Sequence, residues 1–172
     1  MGKIGYFLAK VKRIVIRNPE IINDYFRKCG ASIGVDTHIF SNISLGETFL
    51  ITVGNNVTIS NNVSLITHDA SVRHYIKNTT DIFGRIIIGN NVFVGMNTTI
   101  LPGVTIADNC VIGAGSVVTK SIMHQGEVWA GNPATYICNI NVLADKYSEY
   151  AVNLQSVDEK TRYIKQCKKI QR

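Results

Sequence analysis

The chain has 172 residues, 45% of them hydrophobic and 17% charged, with 14 Gly, only 3 Pro and a formal charge of +6. This is the size and composition of one globular domain, and it excludes a low-complexity or disordered chain. No run approaches the roughly 20 apolar residues of a membrane span, and the apolar stretch after Met1, broken by Lys10, Lys12, Arg13 and Arg17, does not read as a secretory signal.

The charge is uneven. Residues 1–30 hold seven basic and two acidic residues, residues 141–172 seven and four, and the middle four and six. Basic ends suit nucleic acid, an anionic membrane or an acidic cofactor, but a solvated helix surface is the plain reading, and no nucleic-acid partner is expected. The four cysteines, Cys29, Cys110, Cys138 and Cys167, show no CxxC or metal spacing, which fits a reduced, cytoplasmic protein.

In chain order, residues 1–30 form an N-terminal helical segment. Ile4, Phe7, Leu8, Val11, Ile14 and Val15 recur at three- and four-residue steps. That face is expected to pack on the domain's own core; the alternative is peripheral membrane contact through residues 3–17, at the inner surface. Asn18-Pro19 signals a second helix start, and Gly30 or Ala31-Ser32 its end.

Residues 31–138 carry a six-residue repeat. It begins at Ile33-Gly34, continues through Ile39 and Leu45-Gly46, slips by two residues after Phe49–Thr52, and resumes at Val53-Gly54, Ile59 and Leu65. Residues 69–85 break it: they are polar and aperiodic and read as a loop ejected from the stack. The repeat then runs without fault through Ile88, Val94, Ile100, Ile106, Ile112 and Val118, with Val92, Thr98, Val104, Cys110 and Ser116 as a second small or β-branched series. Six is neither a helical nor a hairpin period; it is the signature of a parallel β-helix. Each unit is a short strand and a corner, and three units close a triangle. The aliphatic residue points inward, and Gly or Asn takes the corner, as at Asn55-Asn56, Asn61-Asn62 and Asn90-Asn91. Residues 139–172 read as a C-terminal helical tail, with Leu143, Tyr147, Tyr150 and Leu154 as its apolar spacing and Ser156 or Asp158 capping its second helix. The N-terminal helix and this tail are the expected caps on the two open ends of the stack.

Of the four histidines, His68 stands out. It ends the last regular unit before the ejected loop, where a rigid strand end meets a variable segment, and imidazole suits proton abstraction near neutral pH. His74 lies in the loop; His38 and His124 read as structural. Asp69, as the chain neighbour of His68, is expected to point elsewhere and to anchor the loop at least as readily as it pairs with the imidazole.

The stretch N-N-V-F-V-G-M-N-T-T-I-L-P-G-V-T-I-A-D-N-C-V-I-G-A-G-S-V-V-T-K-S-I, followed by V-W-A-G-N-P-A, resembles the hexapeptide-repeat acyltransferases, and most of all the sugar and polysaccharide O-acetyltransferases of the galactoside, maltose and colanic-acid type. The resemblance covers about residues 31–138. It implies a left-handed parallel β-helix and a homotrimer with active sites between subunits. It further implies acetyl transfer from acetyl-CoA to a hydroxyl of a sugar or polysaccharide precursor, with His68 as general base and no metal. It places Ala114, Thr119 and Lys120 along the CoA site, with Lys120 near phosphate and Ala130 to Ala134, Asn132 among them, at the pantetheine and adenine end; a pantetheine arm along the stack would find Gly95, Gly113, Ala114 and Gly115 keeping side chains out of its way. Met96 N–H is the implied oxyanion donor, Phe93 stands beside the thioester where relatives often carry Trp, and Asn42 matches an acceptor-binding Asn. His74 and Asp69 complete the acceptor side. Thr135-Tyr136 stands where relatives often have a basic residue, so the partner of the CoA 3′-phosphate is unassigned. Other readings are N-acetyl transfer to an amino sugar, a non-catalytic trimeric scaffold, and a zinc hydratase, which needs a third His that the repeat does not offer.

Overall fold

The computed structural model describes residues 3–16, 18–43 and 46–166. They fall into two compact units, residues 1–140 and 141–172.

In the first unit, α1 (Lys3–Ile16) and α2 (Glu20–Lys28) precede the repeat. The Asn18 side chain accepts from Glu20 N–H at 2.9 Å and opens α2, supplying one of the acceptors a helix start lacks. Gly30, at φ 104°, lets the chain turn away after α2. Ile22 and Phe26 of α2 are fully buried and close the N-terminal end of the stack. Arg27 fixes α2 there. Its guanidinium bonds the carbonyls of Ile33 (2.9 Å) and Gly34 (2.7 Å) and the carboxylates of Glu20 (2.8 Å) and Asp24 (2.7 Å).

The expectation for α1 is overturned. Ile4, Phe7, Leu8 and Val11 are exposed, Ile4 by 79%, and among the described side chains of the helix only Ala9 is buried. The reason is the surface α2 offers. Tyr25 and Phe26 are bulky, so α1 approaches with its small face. A Cβ on Gly5 would lie 3.3 Å from the Tyr25 ring, and the Tyr6 ring packs 5.7 Å from both aromatic rings. The side chains of Ile14 and Val15 lie outside the described ones.

The repeat forms three parallel faces. On one, Ile33 lies opposite Val53, Val53 opposite Ile88, Ile88 opposite Ile106, and Ile106 bridges to Ile122. On the second, Ile39, Ile59, Val94 and Ile112 follow one another. On the third, Leu65, Ile100 and Val118 do so; Leu45, the earlier residue of that series, lies outside the described residues. The sequence-derived inward residues are therefore the core, and Val92, Thr98, Val104, Cys110 and Ser116 are buried beside them. Each fully buried aliphatic side chain contributes about 1.5–3 kcal/mol, and the columns make that burial continuous. Burial also pushes the Cys110 thiol pKa up, consistent with an inert packing role.

Corners repeat as strictly as strands. Asp36, Asn56, Asn91 and Asn109 all have φ between 52° and 60°, a region that Asn and Asp tolerate better than other non-Gly residues. Their amides form a ladder: Asn56 Nδ2 donates to Asn91 at 2.9 Å, and Asn91 Nδ2 to Asn109 at 3.0 Å. The parallel series Asn55, Asn90 and Asp108 accepts from backbone N–H groups one coil earlier: Asn55 from Val35 at 2.9 Å, Asn90 from Asn55 at 2.9 Å, and Asp108 from Asn90 at 2.7 Å.

Two glycines of the repeat are needed by the stacking itself. A Cβ on Gly95 would lie 2.5 Å from Ala114 N, and one on Gly113 would lie 2.8 Å from Ala130 Cβ. Both face the next coil, so close coil-to-coil approach by itself requires glycine at each position. Gly95→Ala should therefore destabilise by about 3 kcal/mol, the upper end of overpacking, because the clash is with backbone. Gly103→Ala, with nothing within 4 Å but φ 83°, should cost only the left-handed penalty of about 1–2 kcal/mol. Urea midpoints of the two variants test the difference, and equal or larger loss at Gly103 would contradict it.

The break at residues 69–85 is a hairpin-like excursion. His68–Asp69 pairs antiparallel with Ile82–Phe83, and Gly84 N–H returns to Thr67 O at 2.9 Å. Within it, a tight turn over Ser71–His74 buries Val72. The stack's other end also differs from expectation. After Glu127–Ala130, which runs parallel to Val111–Ile112, the Gly131-Asn132-Pro133 turn reverses the chain, and Thr135–Asn139 covers the edge antiparallel. That strand, and not a helical tail, pairs with the last parallel strand.

The second unit contains the remainder of α3 (Ile140–Tyr147) and α4 (Val157–Gln166). Ser156 Oγ accepts from Glu159 N–H at 3.1 Å and so caps α4.

Candidate active site

His68 sits where the hairpin leaves the stack, with its side chain 48% exposed. Two contacts fix the ring. Across the hairpin it faces Phe83, its strand partner, with ring centroids 5.9 Å apart. From the preceding coil, Glu47 closes on the other edge. His68 Nδ1 lies 2.9 Å from Glu47 Oε1 and 3.0 Å from Oε2. Glu47 also accepts from the Thr67 hydroxyl. That hydroxyl, and then the His68 ring, hold the Glu47 carboxyl below its ordinary pKa. An ionised Glu47 accepts Nδ1–H, which selects the tautomer with the lone pair on Nε2. The arrangement has the geometry of an imidazole with an orienting carboxylate, as in nucleophile-activating triads, and can serve as a base.

Glu47 did not appear among the sequence-derived candidates. A signal for it existed. The same two-residue slip that sets Ile39 opposite Ile59 sets Glu47 beside Thr67. Asp69, the other carboxylate considered, takes the anchoring position: its Oδ1 accepts from Ser71 N–H at 2.7 Å, and that bond lowers its pKa. His74 is exposed in the following turn. His38 stacks on Phe40 at 6.4 Å on the outside of the prism, and His124 is 80% exposed.

Asn42 does not join His68 through any hydrogen bond among the described residues. Its Oδ1 accepts from Tyr6 OH at 2.5 Å and Lys10 Nζ at 2.9 Å. With Lys10, Asn61 and Asn62 it lines a separate polar depression of about 510 Å³.

The rim residues lie along later coils. Phe93 and Met96 are both 46% exposed, and Met96 O accepts from Gly115 N–H at 2.7 Å. Ala114, Thr119 and Asn132 are exposed, and Ala130 is half-buried. Lys120 Nζ stands 5.3 Å from the Trp129 ring centroid, within cation–π range. Trp129 Nε1–H in turn donates to Glu127 at 2.8 Å. These three residues line a shallow depression of about 320 Å³. Trp129, in the quoted V-W-A-G-N-P-A stretch, is a second residue that gained a place only from the structure. Among the described residues, no group of three His, Cys, Asp or Glu side chains is placed to hold a metal ion.

A parallel stack with a six-residue period is the architecture of a hexapeptide-repeat transferase. The family described as "Bacterial transferase hexapeptide (six repeats)" matches residues 85–120. Protein CapG of Staphylococcus aureus is 43% identical over 150 residues, covering 84% of this chain and 83% of its own length. Galactoside O-acetyltransferase of Escherichia coli (strain K12) is 40% identical over 115 residues, covering 65% of this chain, which spans 56% of that enzyme. A solved galactoside acetyltransferase in complex with coenzyme A superposes with a TM-score of 0.58 at 33% identity, over 80% of this chain and 78% of that one. The chain belongs to the hexapeptide-repeat acetyltransferase family, alongside the galactoside, maltose and colanic-acid O-acetyltransferases.

Proposed function

We propose that this chain transfers the acetyl group of acetyl-CoA to a hydroxyl of a sugar or glycan precursor, with His68 as general base. The observation that carries the proposal is the Glu47–His68 pair at the break in the stack. With Nδ1–H held by Glu47, Nε2 takes the acceptor's hydroxyl proton as the oxygen attacks the thioester carbonyl. The tetrahedral oxyanion is steadied by Met96 N–H. As it collapses, the C–S bond breaks, and the CoA sulfur leaves as the thiol with the proton that His68 returns. Lys120, beside Trp129, supplies a cation for a CoA phosphate, and Thr119, Ala114, Ala130 and Asn132 border the arm. Phe93 stands by the thioester, and Asn42, Asp69 and His74 belong to the acceptor side. Support for the donor comes from the coenzyme A complex of the galactoside acetyltransferase relative, and such a donor suits a cytoplasmic enzyme.

The three side-chain groups around His68, Asn42 and Lys120 lie on different parts of one chain. We infer that a homotrimer unites them at sites between subunits, as closed cyclic assembly allows. Thiol release from acetyl-CoA, followed against a panel of free, nucleotide-linked and lipid-linked sugars, tests the reading. A hydroxyl-bearing sugar that raises release well above hydrolysis is expected, together with a trimeric mass by light scattering. Release that depends only on amino sugars, or a monomeric active species, would overturn the hydroxyl acceptor or the shared site respectively.

A further inference from the structure

The face that α1 turns outward is its most apolar one. At 100° per residue, Ile4, Phe7, Leu8 and Val11 fall on one stripe, and they are 79%, 65%, 60% and 42% exposed. The opposite face, through Gly5, Tyr6 and Ala9, is the one that meets α2. The stripe is thus left over after the domain's own packing is complete.

Its borders are cationic. α1 carries Lys3, Lys10, Lys12 and Arg13 in its sequence and no acidic residue. Lys10 and Lys12 lie on opposite flanks of the stripe by the same helical geometry. Lys10 meets the neutral amide of Asn42 and the Tyr6 ring, and among the described residues no carboxylate pairs with it, so its charge is not cancelled. The two acidic residues of the helical segment, Glu20 and Asp24, are both paired with Arg27. This end of the molecule therefore presents apolar side chains flanked by unneutralised cations. A 14-residue helix is too short to span a bilayer, and among the described residues no helix is long and apolar enough to do so. Apolar stripe, cationic flanks and short length together fit a helix lying in the plane of an interface. Packing the stripe of one copy face to face on that of another would instead bring like charges together.

We propose that α1 is a docking surface for an anionic lipid bilayer, with Ile4, Phe7, Leu8 and Val11 entering the headgroup boundary and the flanking lysines meeting anionic headgroups. None of Ile4, Phe7, Leu8, Val11 and Lys12 is among the residues assigned to acetyl transfer.

Sedimentation of the full chain with vesicles of equal phosphatidylglycerol and phosphatidylcholine, against vesicles of phosphatidylcholine alone, tests it. Wild type should partition onto the anionic vesicles and release as ionic strength rises to about 0.5 M. Phe7→Ser/Leu8→Ser should weaken partition about tenfold or more, and Lys12→Glu several-fold. All three substituted side chains are exposed, so circular dichroism should be unchanged. Three results would overturn the proposal: wild-type chain that does not prefer the anionic vesicles, a double variant that sediments like wild type, or a double variant whose mass in lipid-free solution falls, which would make the stripe a subunit contact.

Discussion

His68→Ala is expected to lower acetyl transfer to the true acceptor by about 10²-fold or more, the usual worth of a positioned general base. The substitution removes the imidazole that Glu47 and Phe83 hold at the break in the stack. Because the side chain is 48% exposed and outside the buried columns, the fold should survive, and the urea midpoint should stay within about 0.5 kcal/mol of wild type. Steady-state thiol release under saturating acetyl-CoA makes the comparison. Near wild-type turnover of a hydroxyl acceptor by His68→Ala would remove the base assignment. Retained turnover confined to an amine acceptor would point to N-acetyl transfer, since an amine of low pKa needs less help.

Glu47→Gln is expected to reduce kcat by about tenfold to 10²-fold while the KM for acetyl-CoA stays unchanged. On the proposed mechanism Glu47 is a positioning residue: it acts through Nδ1 of His68 and does not meet the substrate. A neutral amide can offer Nδ1 either its oxygen or its NH₂, so the ring is no longer held in the tautomer with Nε2 free; loss of the orienting carboxylate in a triad is costly for the same reason. A KM effect without a kcat effect would assign Glu47 to binding instead. The substitution also has a pH signature. The folded pKa of Glu47 is depressed, chiefly by the Thr67 hydroxyl and then by His68. Its contribution to stability is therefore full above the ordinary carboxylate range and is lost as pH falls through the depressed value. Wild type should lose stability across that acidic window, and Glu47→Gln should lose less. Parallel acid-unfolding curves for the two proteins would contradict the assigned interaction.

The prism was readable because its code is local and repeated. Ile88, Val94, Ile100, Ile106, Ile112 and Val118 recur at a fixed spacing, and every one is buried. His68 was readable because it stands where that pattern stops. Glu47 was not, because its partner is one coil away, in the segment where the period slips, and only stacking brings the two together. Gly95 and Gly113 were recognised, but their purpose depends on Ala114 and Ala130 of the next coil. The amphipathic pattern of α1 was equally plain, yet the pattern does not say which face a neighbour can accept. Tyr25 and Phe26 decided that by taking Gly5, Tyr6 and Ala9.

The Glu47–His68 contact crosses a seam between successive coils. The imidazole belongs to the coil that the hairpin interrupts, and the carboxylate to the coil before it, which α2 holds through Arg27 and Asn23. Opening of that first coil alone would leave the columns from Val53 to Ile122 standing and yet disarm the base. In a one-dimensional stack, where each coil leans only on its neighbours, catalytic competence is then a gauge of terminal fraying. Mild denaturant should silence the enzyme before the bulk of its β-structure melts.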